Sequence, residues 1–159
     1  MSYRPVPKQQ RFRSEQVVCT PVDFLAALKG KLGIHDFSID LAAGASNAVT
    51  AQYYSEYDNA LIQNWKFEGW GFCNPPFGDL QPWVEKALSE SRGGAKVAMM
   101  VPASVGSSWW GWFVHESAYV LFLHPRLTFV GHTSPYPKDL AVLLYAPYLN
   151  GGYDFWDWK

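Results

Sequence analysis

The sequence has few cysteines, little charge and no long hydrophobic run. Two cysteines, Cys19 and Cys73, among 159 residues are too few for a disulfide framework, which argues against a small secreted scaffold. Charged residues make up 17% and the formal net charge is −1, which argues against a uniformly basic nucleic-acid surface but not against a local basic patch. No apolar stretch approaches the ~18 residues of a membrane span, and the N-terminus lacks a signal-peptide core. We therefore expect a soluble, cytoplasmic protein with no membrane partner.

The sequence patterns of metal and phosphate sites are missing as well. The four histidines show no metal-ligand spacing, and His115-Glu116 lacks a second histidine at the required offset. The glycine-rich fingerprints of phosphate-binding loops and of dinucleotide-binding folds are also absent. The sequence therefore predicts no metal cofactor.

Apolar and aromatic residues, by contrast, are abundant. Hydrophobic residues make up 48% of the chain and aromatic residues 17%, which predicts a folded domain rather than a disordered chain. We predict one domain over residues 18–146, followed by an aromatic C-terminal tail over 147–159. Residues 1–17 predict a flexible basic arm, in which Arg11 and Arg13 either contact phosphates or merely aid solubility.

Helix-like and strand-like patterns alternate along the predicted domain. Four segments have the apolar spacing of a helix, with Thr20 as the first N-cap: 21–32, 58–65, 80–92 and 107–117. Six segments have the pattern of a strand: 37–41, 71–73, 96–101, 119–123, 127–130 and 140–145. This alternation predicts an α/β fold in which a mainly parallel central sheet is flanked by helices on both faces.

Two segments place small or polar residues directly after a predicted strand. Asp40 precedes the small residues 42–46, and another strand runs into Asn74-Pro75-Pro76-Phe77. Ligands of open parallel sheets bind beyond the carboxyl ends of the strands, so both segments are candidates for a site. The two prolines stiffen the second turn, so that the Asn74 side chain and the Pro75 carbonyl offer adjacent acceptors for a planar amino group. Each segment alone also fits an ordinary turn that binds nothing.

The second segment resembles the Asn/Asp-Pro-Pro-Tyr/Phe catalytic motif of S-adenosylmethionine-dependent methyltransferases that act on exocyclic or amide nitrogens. Residues 40–46 resemble the cofactor motif of the same enzymes, and Thr20-Pro21 resembles the segment that closes over the methionine part of the cofactor. Over about residues 18–146 the chain is similar to short phage-type DNA N6-adenine methyltransferases. The resemblance implies a Rossmann-like methyltransferase fold that is shortened between its two motifs, since Asp40 and Asn74 are only 34 residues apart.

The same resemblance implies a reaction and a set of site residues. The reaction is site-specific methyl transfer from S-adenosylmethionine to N6 of an adenine in double-stranded DNA, by direct transfer to a flipped base. The residues implied in catalysis are Asn74, Pro75, Pro76 and Phe77. Those implied in cofactor binding are Thr20, Pro21, Asp40, Ala42, Gly44 and Asp58, with Asp58 preferred over Glu56 as the acid that grips the ribose. Those implied in DNA binding are Arg11, Arg13, Trp109, Trp110 and Arg126.

Several alternatives stay open at the level of the sequence. Most tryptophan rings of the 109–112 cluster also fit the core, and Arg126 also fits an ordinary surface ion pair. Ser46 replaces the second glycine of the cofactor motif, which leaves room for a catalytically inactive relic that binds DNA or protein. The same catalytic motif serves methylation of other amino groups, so RNA or a protein amide is an alternative substrate. Short loops at 78–79 or 104–108, or a second subunit in a homodimer, would have to read the DNA sequence, and evasion of restriction in a bacterial host cell is one expected role.

Overall fold

A six-stranded sheet runs through the middle of the computed structural model, which describes residues 19–159. The predicted basic arm, with Arg11 and Arg13, lies outside the described residues. In chain order the strands are β1 (Ile39–Asp40), β2 (Trp70–Cys73), β3 (Lys96–Pro102), β4 (Tyr119–His124), β5 (Leu140–Tyr145) and β6 (Tyr153–Asp157). Their order across the sheet is β1-β2-β3-β5-β4-β6.

Five of the six strands share one direction. The pairs β1–β2, β2–β3 and β4–β6 are parallel, whereas β5 is antiparallel to both β3 and β4. A loop over 125–139, without a crossover helix, joins β4 to its neighbour β5, and such a connection produces an antiparallel pair. The predicted mixed α/β fold with a mainly parallel sheet is therefore confirmed, while the reversed β5 was not predicted.

Helices cover both faces of the sheet, as the sequence predicts. On one face, α1 (Val22–Leu32) buries Phe24 and Leu28 against the strands. On the other face, α2 (Gln81–Arg92) and α3 (Ser108–Phe113) contribute to a second apolar cluster. None of the helices in the described part of the chain has the length and apolar character needed to cross a membrane.

The first helix starts one residue later than predicted. α1 begins at Val22, so Pro21 rather than Thr20 occupies the N-cap position, and no side chain caps this end. Thr20 is instead buried, which places its hydroxyl inside the molecule. The helix ends at Gly33, whose φ of 67° is the left-handed conformation that glycine adopts most easily, as predicted.

Two other predicted helices are shorter in the structure. The segment 58–65 forms only a 3-10 turn, Ala60–Ile62, because the backbone becomes extended at Gln63 (φ −85°, ψ 153°). The indole N–H of Trp65 donates back to the carbonyl of Ala60 at the start of this turn (2.8 Å). The segment 107–117 is helical only over α3. Glu116, with φ 56°, has a backbone conformation that no α-helix contains.

The predicted strand over 127–130 is wrong, because these residues belong to the loop 125–139. Leu127 and Phe129 are buried and pack on the face of the sheet that α1 covers, which explains the alternating apolar pattern. The backbone of the loop pairs with itself instead of with a strand, since the Tyr136 N–H donates to the Leu127 carbonyl (2.7 Å). The alternation of buried and exposed residues in this segment therefore results from a loop that is anchored by Leu127 and Phe129.

A strand that the sequence analysis did not assign lies in the aromatic tail. β6 pairs in parallel with β4 at the edge of the sheet. Trp156 and Trp158 pack their rings against Phe24 of α1, with centroids 5.9 and 5.2 Å away. These contacts join residues more than a hundred positions apart, and a local sequence pattern does not reveal them.

Candidate active site

A cavity of about 540 Å³ opens where β1 and β2 end. Its volume lies within the range of ~300–1,000 Å³ that is typical of small-molecule sites. Asp40, Ala42 and Gly44 line it from the first segment, and Asn74 and Pro76 line it from the second. The two segments that follow neighbouring parallel strands therefore meet in one cavity, as their positions predict.

Close packing between β1 and β2 holds the two segments together. The strands pair in register, and the Leu41 N–H continues the ladder by donating to the Phe72 carbonyl (2.8 Å). A Cβ at Gly71 would lie 2.7 Å from the ring of Phe67 and 3.3 Å from the side chain of Leu41. The absence of a side chain at this position therefore leaves room for both residues against β2, just before the Asn74 turn.

Asp40 is a buried carboxylate in the wall of the cavity. One oxygen, Oδ1, accepts from the Ala42 N–H (3.2 Å), and Oδ2 accepts from the Val49 N–H (3.1 Å). Burial raises the pKa of Asp40 from 3.8 to about 6, and these two hydrogen bonds only partly oppose the shift. A buried, desolvated carboxylate that lines a cavity is suited to bind a cationic group or a hydrogen-bond donor.

A tight turn of small residues follows Asp40. The Gly44 N–H donates to Asn47 Oδ1 (2.6 Å), and the N–H groups of Asn47 and Ala48 donate to the Gly44 carbonyl (3.2 and 3.0 Å). The small side chains of this turn leave the backbone of the cavity wall accessible to a ligand. Asn47 also lines the cavity, although the sequence analysis did not single it out.

The chain between the two segments is short. Residues 52–54 run beside β1, where Asp40 donates to Gln52 and accepts from Tyr54 through the backbone (both 2.9 Å). The pairing is limited to a single bridge between Asp40 and Tyr53. Apart from this bridge, the described structure between β1 and β2 contains one regular element, the 3-10 turn. Only this short connection therefore separates the two segments in the structure.

Two acidic residues near the cavity differ in where their side chains lie. Glu56 lines the cavity, whereas Asp58, the residue that the sequence analysis preferred, does not. Asp58 Oδ2 accepts from the backbone N–H and the hydroxyl of Ser55 (2.7 and 2.8 Å), and these bonds lower the pKa of Asp58. Asp58 thus closes its own turn, and spacing alone could not distinguish it from Glu56.

Thr20 links the start of α1 to the Asn74 turn. The Asn74 Nδ2 group donates to Thr20 Oγ1 at 3.5 Å, the outer limit of a hydrogen bond. Thr20 is buried and lines the cavity, whereas Pro21 does not line it. The amide nitrogen of Asn74 therefore faces Thr20, and the amide oxygen Oδ1 is the atom that a ligand can contact.

The other two members of the turn, Pro75 and Phe77, are not among the residues that line the cavity. Phe77 is half-buried, and its ring meets Tyr136 edge-on, with centroids 5.8 Å apart and an interplanar angle of 73°. Tyr136 in turn packs edge-on against Phe129 (5.7 Å). Sequence analysis missed Tyr136, because its loop was interpreted in part as a strand.

Cys73 lies next to Asn74 but is unsuited to act as a nucleophile. Its side chain is fully buried, and burial, followed by the charge of Asp40, raises the pKa of the thiol well above its usual value. The thiol is therefore protonated at neutral pH, and the thiolate is the reactive form. Within residues 19–159, no three His, Cys, Asp or Glu side chains lie close enough together to hold a metal ion.

The predicted DNA-binding residues lie in different environments. Trp110 is 8% exposed and stacks on Phe122 (6.2 Å), so it offers little surface to DNA, and Trp109 is half-buried beside it. Arg126 is half-exposed and donates from Nε to Asp139 (3.0 Å). These positions match the alternatives that the sequence left open for these residues, a core tryptophan and an ion-paired arginine.

Comparison with known proteins points in the same direction as the motifs. The sequence pattern of the family described as DNA N-6-adenine-methyltransferase (Dam) matches residues 10–140, which is most of the chain. The chain is also similar to a DNA N-6-adenine-methyltransferase of Escherichia phage T1, with 28% identity over 109 residues. This alignment covers 69% of the chain but only 45% of the phage protein, so the chain spans less than half the length of that relative.

Proposed function

The chain belongs to the DNA N-6-adenine-methyltransferase (Dam) family, and on this premise we propose that it transfers a methyl group from S-adenosylmethionine to N6 of adenine in double-stranded DNA. One observation carries the proposal: Asp40 and Asn74 line the same cavity. A carboxylate suited to a cationic cofactor and an amide suited to an amino group thereby line one cavity. We further propose that the sheet is a Rossmann-like methyltransferase sheet, shortened between β1 and β2.

The residues of the cavity fit S-adenosylmethionine. When bound, this cofactor supplies a methyl group activated by a sulfonium cation. Asp40, whose pKa is raised to about 6, gains a stabilising partner when a cation replaces water beside it. The small residues Ala42 and Gly44 would leave the backbone open to close approach, and Glu56, which lines the cavity, would accept from ribose hydroxyls.

Asn74 and Pro75 would orient the adenine amino group. N6 is a poor nucleophile because its lone pair is delocalised into the ring. Hydrogen bonds from its two hydrogens to Asn74 Oδ1 and the Pro75 carbonyl would localise this lone pair and direct it along the line of transfer. Thr20 supports this geometry, because its contact with Asn74 Nδ2 leaves Oδ1 to face the base. Catalysis then consists of positioning and electrostatic stabilisation.

The target adenine must leave the duplex to reach this turn. Flipping a base out of the stack costs a few kcal/mol, and contact with an aromatic ring returns about 1–3 kcal/mol. Phe77, next to the two acceptors, is the candidate ring, and Arg126 is a candidate phosphate contact, as is the arm with Arg11 and Arg13. Because Cys73 is fully buried and does not line the cavity, we propose direct transfer to N6 without a covalent intermediate on this thiol.

Transfer of labelled methyl groups from S-adenosylmethionine to unmethylated duplex DNA tests the proposal. The DNA is digested to nucleosides, and we expect the label in N6-methyladenine. Parallel reactions contain RNA or a protein extract instead of DNA. Label in RNA or protein and not in DNA would contradict the substrate assignment. Absence of both transfer and cofactor binding would contradict the proposed activity and favour an inactive relic.

A further inference from the structure

The loop between β4 and β5 lies beside the turn Asn74-Pro75-Pro76-Phe77, the proposed catalytic turn, and is anchored at its start. Leu127 and Phe129 are buried at its start, and the Tyr136 N–H donates to the Leu127 carbonyl (2.7 Å), which closes the loop upon itself. The Val130 N–H also donates to the Cys19 carbonyl (3.3 Å), beside Thr20 of the cavity. Residues 131–135 therefore lie between two positions that are held by backbone hydrogen bonds, Val130 and Tyr136.

Aromatic contact ties this loop to the catalytic turn. Tyr136 lies between Phe77 and Phe129, with ring centroids 5.8 and 5.7 Å away. The loop follows β4, which runs in the same direction as β1 and β2. The start of the loop and the Asn74 turn therefore both lie at the carboxyl ends of these strands, and Tyr136 connects them.

The tip of the loop, defined as residues 130–135, is exposed throughout. Its sequence, Val-Gly-His-Thr-Ser-Pro, contains no lysine or arginine. The imidazole of His132 and the hydroxyls of Thr133 and Ser134 provide hydrogen-bond donors and acceptors without a fixed charge. Lysine and arginine supply many phosphate contacts, whereas sequence is read by hydrogen bonds and apolar contacts to base edges. The tip thus carries groups that can hydrogen-bond to base edges and no fixed positive charge that would direct it to phosphates.

From this placement we infer that the loop tip reads the base pairs next to the target adenine and so contributes to the site specificity of the enzyme. The inference rests on the proposed function. Neighbouring bases along a strand are only ~3.4 Å apart. A duplex that delivers an adenine to Asn74 therefore carries its flanking bases past the segment anchored by Tyr136.

A loop-tip variant tests the inference, with all three polar side chains removed: His132→Ala/Thr133→Ala/Ser134→Ala. The matched control, Glu85→Ala/Ser89→Ala, removes exposed side chains of α2. Each protein methylates a DNA library with randomised sequence, and N6-methyladenine is mapped by sequencing. We expect the loop-tip variant to bind S-adenosylmethionine like the wild type but to lose at least about fivefold of the preference at one or more flanking positions. The control should keep the wild-type preference.

Each alternative result has a distinct meaning. A loop-tip variant with the wild-type preference, or a wild type without any flanking preference, would overturn the inference and leave the proposed function intact. If the variant is folded and binds cofactor but does not methylate, its affinity is compared for duplexes that contain or lack the preferred site. Lost discrimination supports the inference, and retained discrimination overturns it. A wild type that forms no N6-methyladenine would overturn the proposed function as well.

Discussion

The centre of the sheet and its β1 edge differ in what they bury. All six residues of β5 and six of the seven in β3 are buried, and all of these are apolar. Among residues 19–159 the buried polar or charged residues are Thr20, Asp40 and Ser91, and the first two line the cavity at the β1 edge. Burial of polar groups is unfavourable unless they are paired. The comparison indicates that the centre stabilises the fold, while the edge is arranged for a ligand.

Removal of a large side chain from the centre should produce the largest loss of stability. Leu143 in β5 is fully buried, so Leu143→Ala should lower the free energy of unfolding by ~2–5 kcal/mol through lost apolar contacts and a residual cavity. Urea denaturation measures this change. The folded fraction should still bind S-adenosylmethionine with wild-type affinity. A large loss of affinity without a loss of stability would contradict the division between centre and edge.

Removal of the Asn74 amide at the β1 edge should instead lower the reaction rate and leave the stability nearly unchanged. Asn74→Ala should lower kcat by ~10²–10³, or about 2.7–4 kcal/mol, by analogy with the loss of one oriented oxyanion donor. The unfolding temperature should change little, because Asn74 is only half-buried. Cofactor affinity should also change little, because the proposal assigns Asn74 to the adenine and not to the cofactor. Asn74→Asp is the matched control, since it keeps an acceptor oxygen and should retain more activity than the alanine variant. Equal activity of both variants would contradict the role of the oxygen.

The stability contributed by Asp40 should depend on pH. Its pKa is about 6 in the folded protein and near 3.8 when unfolded, so the folded state binds the proton more tightly. The resulting stabilisation is present below pH ~3.8 and is lost as the pH rises through about 6, by at most ~3 kcal/mol. Urea denaturation of wild type and Asp40→Asn at pH 4 and 7 measures it. A difference between the two proteins that stays constant with pH would contradict the assignment.

Binding of a cationic cofactor should reverse this preference for the proton. Because a nearby positive charge favours the carboxylate, the affinity for S-adenosylmethionine should rise as the pH increases through about 6. Calorimetric titration between pH 5 and 8 measures the change. The same titration of Asp40→Asn should lack the Asp40-dependent increase between pH 5 and 7. If both proteins show the same pH profile, Asp40 does not contact a cationic part of the cofactor.

A smaller effect is expected at the contact between Thr20 and Asn74. Thr20→Val keeps the shape of the side chain but removes the acceptor, and Thr20→Ser keeps the acceptor. Because this contact is at the outer limit of a hydrogen bond, we expect the lower end of ~0.5–1.5 kcal/mol, a decrease in kcat of about twofold for the valine variant. Single-turnover rates and cofactor affinities distinguish the roles of Thr20. Weaker cofactor binding with an unchanged rate would instead place Thr20 on the cofactor.

The smallest effect on stability is expected at an exposed ion pair in the loop between β4 and β5. Arg126 and Asp139 form an exposed pair, which contributes no more than about 1 kcal/mol. Arg126→Ala should therefore leave the free energy of unfolding nearly unchanged. If Arg126 contacts a DNA phosphate, the slope of log affinity against log salt should decrease in magnitude by about one. An unchanged slope would assign Arg126 to the ion pair alone.

Sequence patterns were most informative where local chemistry determines the structure. The apolar run of β5 was predicted with its observed bounds, since Lys138-Asp139 precede and Ala146-Pro147 follow a short and fully buried strand. The meeting of Asp40 and Asn74 was predictable because each follows a strand in a parallel part of the sheet. The positions of Glu56 and Asp58 were not, since a side-chain bond to Ser55 decides between them.

Long-range packing accounts for most of what the sequence did not reveal. β6 depends on contacts of Trp156 and Trp158 with Phe24, at the other end of the described chain. Tyr136 contacts Phe77 of the Asn74 turn from a loop whose buried residues alternate as they would in a strand. In both cases the local sequence pattern indicates that a side chain is buried but does not show which residue it contacts.

A comparison of cofactor binding and methyl transfer in matched variants tests the central claim most directly. Ser46 is exposed and lines the cavity, whereas the neighbouring Ala45 is exposed and does not line it. We predict that Ser46→Trp loses more than about tenfold in S-adenosylmethionine affinity, or ~1.4 kcal/mol, whereas Ala45→Trp and Asn74→Ala bind it like the wild type. Of these four proteins, only the wild type and Ala45→Trp should form N6-methyladenine efficiently. Wild-type affinity in Ser46→Trp, or efficient methylation by Asn74→Ala, would contradict a shared site at the ends of β1 and β2.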